Sequence, residues 1–418
     1  MSEGPTKISR ELLLALPKND LHVHLDGSMR PSTLIELARD YAVTLPSYTE
    51  EGLYEQVFKE RYSSLAEYLT GFKYTCAVMQ SEPALERIAY ELAVDCQAEG
   101  VRYLEVRFAP QLHMHKHLGF VPVCKAVDRG LQRAADEYNA RPAIAAGKEP
   151  PFVFGIIICA MRHFREVFSE YYANLLRAHD YAPPREVYSH ASLEAVRAAV
   201  HARDHHGLHI VGFDLAGEEA GYPPDDHKEA YDYAHQNFLK KTVHAGEAYG
   251  PESIFLAITS LHADRIGHGT FLMEPDAIQD ESIEDRAAYV KSLTQYIADR
   301  RIMLEVCLTS NMQTIPALND LSDHSLRKQR DARMSVSICT DNRTVSRTTV
   351  TDELVKAVEH LNFTIKDLRA VIFHGFKRSF FPGTYVKKRA YVRQVLDYYE
   401  EVTRSFGVAA EGKPSALP

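Results

Sequence analysis

The 418-residue chain lacks several features that mark whole classes of protein. It has no run of about 18 apolar residues, the length that spans a bilayer, and its N-terminus does not read as a secretory signal. The 48 Lys and Arg are outnumbered by 57 Asp and Glu, and the net charge of -9 argues against a nucleic-acid or anionic membrane surface. These absences predict a cytoplasmic protein that acts on a small molecule.

Cysteine-based and other short motifs are also scarce. The six cysteines form no C-x-x-C pair and have no spacing typical of a small secreted domain, so we expect reduced, mostly buried thiols. The H-E-x-x-H motif of metalloproteases is missing, as is the P-C-x-x-C segment of cytidine-deaminase-type zinc enzymes. A P-loop is missing too, which disfavours phosphorylated substrates.

What the chain does have is histidine, 20 in all, and two segments in which histidines alternate. His22 and His24 stand at i and i+2, so in a strand both project from one side and can bind one cation. His113, His115 and His117 repeat the pattern. The pattern alone does not separate a metal site from chance. We interpret the second segment as a solvated loop, with the rim of a pocket as the alternative.

Further ligand candidates end β-like runs far downstream. His244 and Glu247 lie where one run gives way to a glycine-containing loop, His268 stands between two glycines, and Asp341 ends an apolar run. Three histidines and one aspartate suit zinc with a position left open for water. Glu247 and one further histidine would then remain for proton transfer.

Eight short apolar or β-branched runs alternate with helix-like stretches. The runs cover residues 21–25, 103–108, 152–159, 210–215, 242–244, 265–268, 302–307 and 335–340. The helix-like stretches cover 82–99, 192–205, 225–239, 251–262, 283–299 and 322–332, with 352–361, 366–378 and 387–404 after the last run. This alternation predicts an α/β fold, a (β/α)8 TIM barrel with additional helices. No linker divides the chain, so we expect residues 1–418 to form a single domain.

The barrel would bring the candidate residues together. His22 and His24 lie on the first run, His244 ends the fifth, His268 ends the sixth and Asp341 follows the eighth. Residues that carry chemistry in such a barrel cluster at the C-terminal ends of its strands. Two insertions are also expected. Residues 43–66 are interpreted as either a lid over the site or an outer helical pair, and 139–151 as a loop.

Six motifs, in order along the chain, resemble those of the adenosine deaminase family. They are Leu21-His-Val-His-Leu-Asp-Gly-Ser28, Tyr103-Leu-Glu-Val-Arg-Phe-Ala-Pro110, Gly212-Phe-Asp-Leu-Ala-Gly-Glu218, Val243-His-Ala-Gly-Glu247, Arg265-Ile-Gly-His-Gly-Thr270 and Ser337-Ile-Cys-Thr-Asp-Asn342. Cys307-Leu-Thr-Ser-Asn311 is similar to the family's seventh-strand segment. The resemblance implies an enzyme that hydrolyses the 6-amino group of a purine nucleoside, most simply adenosine or 2′-deoxyadenosine, to an oxo group plus ammonia.

The resemblance also implies roles for the candidate residues. One Zn²⁺ per subunit would be held by His22, His24, His244 and Asp341. Glu247 would protonate purine N1, which a buried, neutral carboxyl can do. His268 would orient and deprotonate the water, with Asp341 sharing that role.

Substrate contacts are implied at four positions, namely His24, Asp26, Gly217 and Asn342. The backbone N–H of Gly217 would donate to purine N3, and Asp26 would accept from a ribose hydroxyl, although Asp26 could instead cap the loop before Pro31. Asp214 is expected to be a buried hydrogen-bond partner.

Asn342 departs from the second Asp that many family members carry. A carboxyl must be protonated to donate to purine N7, whereas an amide donates at any pH. This departure leaves aminodeoxyfutalosine open as an alternative substrate. A non-catalytic nucleoside-binding relative is the alternative outside enzymes, and the oligomeric state is left open.

Overall fold

A computed structural model, which describes residues 8–408, contains one sheet of eight parallel strands in the order β1 to β8. The strands are β1 Lys18–His24, β2 Val101–Phe108, β3 Val153–Met161, β4 Ile210–Ala216, β5 Lys240–Ala245, β6 Arg265–His268, β7 Met303–Val306 and β8 Val336–Ile338. Val23 bridges Asp341 in parallel, which joins the chain after β8 to β1. The predicted barrel is confirmed, and every strand lies within three residues of its predicted bounds.

Helices surround the strands. They are α1 Arg10–Ala15, α2 Pro31–Asp40, α3 Glu50–Gln56, α4 Leu65–Leu69, α5 Phe72–Val78, α6 Glu82–Ala98, α7 Phe120–Asn139, α8 Pro142–Ala145, α9 Glu170–Ala178, α10 Pro184–His206, α11 Lys228–Gln236, α12 Pro251–Thr259, α13 Arg286–Arg300, α14 Leu308–Thr314, α15 Leu326–Asp331, α16 Val350–Leu361, α17 Ile365–Arg378 and α18 Tyr385–Ser405. None of the helices within residues 8–408 has both the length and the apolar character needed to cross a membrane.

Several predicted helices differ in detail from the observed ones. The stretch predicted at 192–205 begins eight residues earlier, at Pro184, where proline fits the first helical turn. The stretches predicted at 225–239 and 322–332 each open with a 3₁₀ turn, Pro224–His227 and Leu321–Asp323, before α11 and α15. Short terminal turns of this kind carry no periodic signal in the sequence.

The two predicted insertions also contain helix. Residues 139–151 include α8, which again begins at a proline, so the prediction of a plain loop was wrong there. Residues 43–66 form α3 and the start of α4, and Arg347 ties this segment to the loop after β8 through the carbonyls of Tyr54 and Phe58. Leu65 begins the part of the chain that lines the pocket, which continues to Gln80. Most of the segment proposed as a lid therefore lies outside the pocket wall.

The strands are buried along almost their whole length, as expected for parallel strands covered by helices on one side and packed inside the barrel on the other. Several of the buried strand residues are charged, and four of them are Glu105, Arg107, Arg265 and Glu305. They pair with one another, with Arg265 against both glutamates and Arg107 against Glu305. Pairing makes burial of these charges tolerable and builds a polar layer beneath the C-terminal rim.

Candidate active site

The predicted ligand residues converge at the C-terminal rim of the barrel. His22, His24, His244 and Asp341 each place one ligand atom within 4.8 Å of the others. The strands supply this convergence, because His22 and His24 end β1, His244 lies near the end of β5, and Asp341 follows β8. Residues more than 300 positions apart in the chain thus meet at one point.

The donor atoms face each other without a protein group between them. The Nε2 atoms of His24 and His244 are 3.1 Å apart, and Asp341 Oδ1 lies 3.4 Å from His24 Nε2 and 3.5 Å from His22 Nε2. His22 Nε2 is fully buried and has no hydrogen-bond partner within residues 8–408. Three imidazole nitrogens and one carboxylate oxygen form a donor set that suits a divalent cation such as zinc. The residues present therefore fit a metal.

Carboxylates behind two of the histidines fix which ring nitrogen faces the centre. His22 Nδ1 donates to Glu305 Oε2 over 2.9 Å, and His244 Nδ1 donates to Asp214 Oδ2 over 3.0 Å. With Nδ1 protonated and engaged, the lone pair of Nε2 is left for a cation. Asp214 thus has the buried hydrogen-bonding position that was predicted for it, whereas Glu305 was not singled out from the sequence.

Arg107 joins the two carboxylates. Its Nη1 lies 2.9 Å from Asp214 Oδ2, and its Nη2 lies 2.7 Å from Glu305 Oε2. Burial alone would raise the pKa of Glu305, but Arg107 and Arg265 beside it hold that pKa well below its usual range. Both carboxylates are therefore ionised hydrogen-bond acceptors. A charged residue inside an otherwise apolar strand was the sequence signal that could have revealed Arg107 and Glu305.

Two residues of the site have strained backbones. His268 and Asp341 both adopt φ of 63°, in the left-handed region that residues other than glycine rarely occupy. Asp341 is held there by its bridge to Val23 and by Ser310, whose hydroxyl donates to Asp341 Oδ2 over 2.6 Å. These constraints point the Asp341 side chain toward the histidines.

Glu247 and His268 form a second group on the other side of Asp341. One ligand atom of each of these three residues lies within 4.8 Å of the others, and Glu247 Oε1 is 3.6 Å from His268 Nε2. Burial raises the pKa of Glu247 well above its usual range, and the negative charges of Asp341 and Glu219 raise it further. Glu247 is therefore a carboxyl group suited to carry a proton at neutral pH.

Glu219 holds the loop that carries Glu247, a role not predicted from the sequence. Its carboxylate is buried and accepts hydrogen bonds from the backbone N–H groups of Gly246, Glu247 and Ala248, over 2.7 to 3.0 Å, and from the hydroxyl of Ser253. These bonds connect the end of β5 to α12 and leave the loop little freedom to move.

A pocket of about 620 Å³ opens from this cluster and contains the remaining predicted residues, namely Asp26, Gly217 and Asn342. Asp26 Oδ1 is buried and accepts no hydrogen bond in the part of the chain that the structure describes, so this atom does not act as the loop cap that was its predicted alternative role. Gly217 has φ of 101°, a conformation that favours glycine. Asn342 packs against Gly27, where an added Cβ would lie 1.7 Å from Asn342 Oδ1.

The three side chains of the second histidine segment do not meet at one point. His113 is fully buried, His115 Nε2 pairs with the carbonyl of Gln80 over 3.1 Å, and His117 is exposed. The interpretation of this segment as a solvated loop was wrong for His113, because the turn Pro110–Leu112 directs the chain inward after β2. His113 is absent from the lining of the pocket.

Comparisons with known proteins agree with this geometry. The adenosine deaminase family model matches residues 17–182 and 185–398. A probable adenosine deaminase of Dictyostelium discoideum is 34% identical over 91% of this chain, which spans only 42% of that protein. An adenosine deaminase of Mycobacteroides abscessus is 36% identical over 88% of this chain and 91% of its own length.

Two solved structures share the fold. An amidohydrolase of Burkholderia ambifaria with bound Zn is 19% identical, with a TM-score of 0.75 and 96% of both chains covered. The N6-methyl-AMP deaminase of Arabidopsis thaliana is 23% identical, with a TM-score of 0.69 over 95% of this chain and 100% of that one. At these identities the likeness concerns the fold alone. The family match and the curated relatives carry the assignment: this chain belongs to the adenosine deaminase family, whose members are hydrolases acting on C–N bonds.

Proposed function

We propose that this enzyme is a zinc-dependent deaminase of 6-aminopurine nucleosides, which converts adenosine and 2′-deoxyadenosine to the corresponding inosines and ammonia. The observation that carries the proposal is that a three-histidine, one-aspartate group and a protonatable glutamate lie together beside one pocket. The names of the curated relatives support the same reaction. That residues 1–418 form a single domain remains a prediction.

The metal site is assigned to His22, His24, His244 and Asp341. A zinc ion held there would lower the pKa of water toward 7 and so make hydroxide accessible at neutral pH. The identity of the ion as zinc is supported by the nitrogen-rich donor set and by the zinc bound in a protein of the same fold.

Glu247 is the general acid of the proposed reaction. Its raised pKa favours the protonated carboxyl, which can donate a proton to purine N1. Protonation of N1 withdraws electrons from C6 and makes that carbon a better electrophile. The backbone N–H of Glu247 donates a hydrogen bond to the Glu219 carboxylate, which holds the loop and so positions the carboxyl of Glu247.

His268 and Asp341 face Glu247 within the same cluster. We assign them the tasks of orienting the attacking water and accepting its proton. Water then adds to C6, a tetrahedral intermediate forms, and the amino group leaves as ammonia. Burial of all three side chains excludes bulk water from this step.

Four residues that line the pocket are assigned to nucleoside recognition. The backbone N–H of Gly217 donates to purine N3, and the amide of Asn342 donates to N7. Asp26 accepts a hydrogen bond from a ribose hydroxyl, which gives its buried and unpartnered Oδ1 a partner. His24 is also at the wall of the pocket and contacts the bound nucleoside.

The outer part of the pocket supports a second candidate substrate. Residues of α4, α5 and the loop after β3 also line the pocket, and among them Lys73 and Arg165 are exposed. A volume of about 620 Å³ also leaves room for more than a ribose. These observations favour a 6-aminopurine nucleoside with an acidic 5′ substituent, such as aminodeoxyfutalosine, as the alternative.

The test is the ultraviolet change that accompanies loss of the 6-amino group. The zinc-loaded enzyme is assayed with adenosine, 2′-deoxyadenosine, adenine, AMP and aminodeoxyfutalosine, with Glu247→Gln as the blank. We expect turnover of adenosine that the substitution abolishes. Higher kcat/KM with aminodeoxyfutalosine would move the assignment to the second candidate, and no turnover of any substrate despite bound zinc would refute the proposed function.

A further inference from the structure

A chain of hydrogen bonds leads from α15 to the active-site histidine. The backbone N–H of Leu326 donates to His324 Nδ1 over 3.0 Å. Because a backbone N–H can only donate, His324 Nδ1 must be the acceptor in this bond, and the proton of the neutral ring is on Nε2. His324 is buried, and burial lowers its pKa to about 4, so the ring is neutral at physiological pH.

The proton on His324 sets the orientation of the next residue. His324 Nε2 lies 3.1 Å from Asn311 Oδ1, and this pair is a hydrogen bond only if the oxygen of the amide faces the ring. The other end of the amide, Asn311 Nδ2, is therefore directed at His268 Nδ1, which is 3.1 Å away. An amide nitrogen donates and cannot accept, so His268 Nδ1 is an acceptor and carries no proton.

The same geometry decides the state of the active-site ring. A doubly protonated His268 would point its Nδ1–H at the N–H of Asn311, and two donors would then face each other in a buried place. The neutral ring with its proton on Nε2 avoids this conflict. His268 Nε2 points away from Asn311, toward Glu247 at 3.6 Å, and has no hydrogen-bond partner among the described residues.

We propose that Asn311 and His324 are positioning residues that hold His268 as an Nε2–H hydrogen-bond donor directed at the reacting oxygen, so that His268 does not act as the base. This inference rests on the proposed function and divides the roles that were assigned there to His268 and Asp341 jointly. Among the residues in contact range, Asp341 is then the ionised group left to accept the proton of water.

The proton balance closes without a co-reactant. Water forms the new O–C6 bond and gives one proton to Asp341, which passes it to the departing amino group as ammonia leaves. The proton left on the C6 oxygen then passes to Glu247 and replaces the one that Glu247 donated to N1. The Nε2–H of His268 stays on the ring throughout and donates a hydrogen bond to the attacking oxygen, which keeps that oxygen oriented toward C6.

The direct test is the tautomer of His268 in the zinc-loaded enzyme. Long-range ¹H–¹⁵N spectra of protein with ¹⁵N-labelled histidine separate protonated from unprotonated ring nitrogens, and His268→Gln assigns the signals. We expect a protonated Nε2 and a bare Nδ1 for both His268 and His324. A protonated Nδ1 on His268 would overturn the inference. The spectrum does not depend on turnover, so this result and the failure of the deaminase assay are distinguishable.

A matched pair of substitutions tests the consequence for catalysis. Asn311→Asp keeps the size of the side chain but offers an acceptor to His268 Nδ1, which moves the proton from Nε2 to Nδ1. We expect kcat to fall by about 10²-fold, the loss that misplacement of a reacting group can cause, with KM and zinc content unchanged. If His268 is the base, the same change makes Nε2 more basic, and kcat stays level or rises.

His324→Gln is the control, because its amide nitrogen still donates to Asn311 and should keep both the tautomer and most of the activity. Thermal unfolding and zinc content verify that each variant is folded. A large loss of kcat in His324→Gln with the Nε2–H tautomer retained would contradict the assigned role of His324.

Discussion

Two segments of this chain have alternating histidines, and only one of them joins a group of side chains that could hold a metal ion. His22 and His24 end strand β1 at the rim of the barrel, where they meet His244 and Asp341. His113, His115 and His117 follow strand β2 and separate into a buried, a half-buried and an exposed side chain. Both segments follow the same side-chain spacing, so spacing alone does not decide between them.

The two segments differ in the hydrogen-bond partners of the histidine rings. His22 and His244 each donate Nδ1 to a buried carboxylate, and Arg107 keeps both carboxylates ionised. Both ring nitrogens of His113 lack a hydrogen-bond partner in the described part of the chain. A metal site therefore needs oriented imidazoles as well as convergent ones.

The largest expected effect comes from removing a ligand in the first segment. His24→Ala leaves two histidines and Asp341, and we expect loss of the bound metal and of deaminase activity to background. The matched change in the second segment, His117→Ala, removes an exposed ring and should alter neither. Metal content by atomic spectroscopy and kcat/KM are measured on both. Equal losses in the two variants would contradict the assignment of the first segment.

A smaller effect is expected from the carboxylate behind His244. Asp214→Asn replaces the anionic acceptor of His244 Nδ1–H by a neutral amide, and we expect zinc affinity to fall by about 10- to 100-fold. Competition with a chelator measures this affinity. Asp128→Asn is the control, since Asp128 Oδ1 pairs with His209 Nδ1 over 2.9 Å just before the first residue of β4, at the end of that strand opposite the C-terminal rim. An unchanged affinity in Asp214→Asn would show that orientation of His244 does not depend on Asp214.

His113 predicts a pH effect on stability rather than on metal binding. Burial lowers the pKa of His113 to about 3, below the value of about 6.5 in an unfolded chain. The unfolded state therefore binds the proton first, and the free energy of unfolding falls as pH drops below about 6.5. This residue accounts for about 2 kcal/mol between pH 7 and pH 5.

His113→Phe should remove that loss. Urea unfolding of the variant at pH 7 and pH 5 should show a smaller decrease in stability than in the unsubstituted enzyme, with activity at pH 7 retained. At pH 7 the variant should also be more stable by about 1 kcal/mol, because a buried polar group without partners is gone. The same change at the exposed His117 serves as the control. An identical pH dependence in His113→Phe would mean that His113 is protonated in the folded protein.

The smallest effect belongs to His115. Its Nε2 makes one partly buried hydrogen bond, to the carbonyl of Gln80, and we expect His115→Ala to reduce the free energy of unfolding by about 1 kcal/mol. Zinc content should not change. A drop in zinc content would indicate that the second histidine segment does bind the metal, which would remove the contrast between the two segments.

The sequence by itself determined the barrel and the positions of the candidate ligand residues. Apolar, β-branched runs that alternate with helical stretches predict eight parallel strands, and polar residues at the ends of those runs must meet at one rim. His244, His268 and Asp341 were found in this way. Their roles, and those of Asp26, Gly217 and Asn342, remain proposals that rest on family resemblance and on the geometry of the pocket.

Which buried polar residues contact one another could be seen only in the tertiary structure. The period of a strand shows that Arg107 and Glu305 point into the barrel, but their pairing depends on the closure of eight strands. The same holds for Glu219 on the backbone of Glu247 and for the contact of Asn311 with His268. The burial of His113 was likewise set by a 3₁₀ turn without periodicity. Periodicity reports the direction of a side chain, whereas its partner depends on contacts between distant parts of the chain.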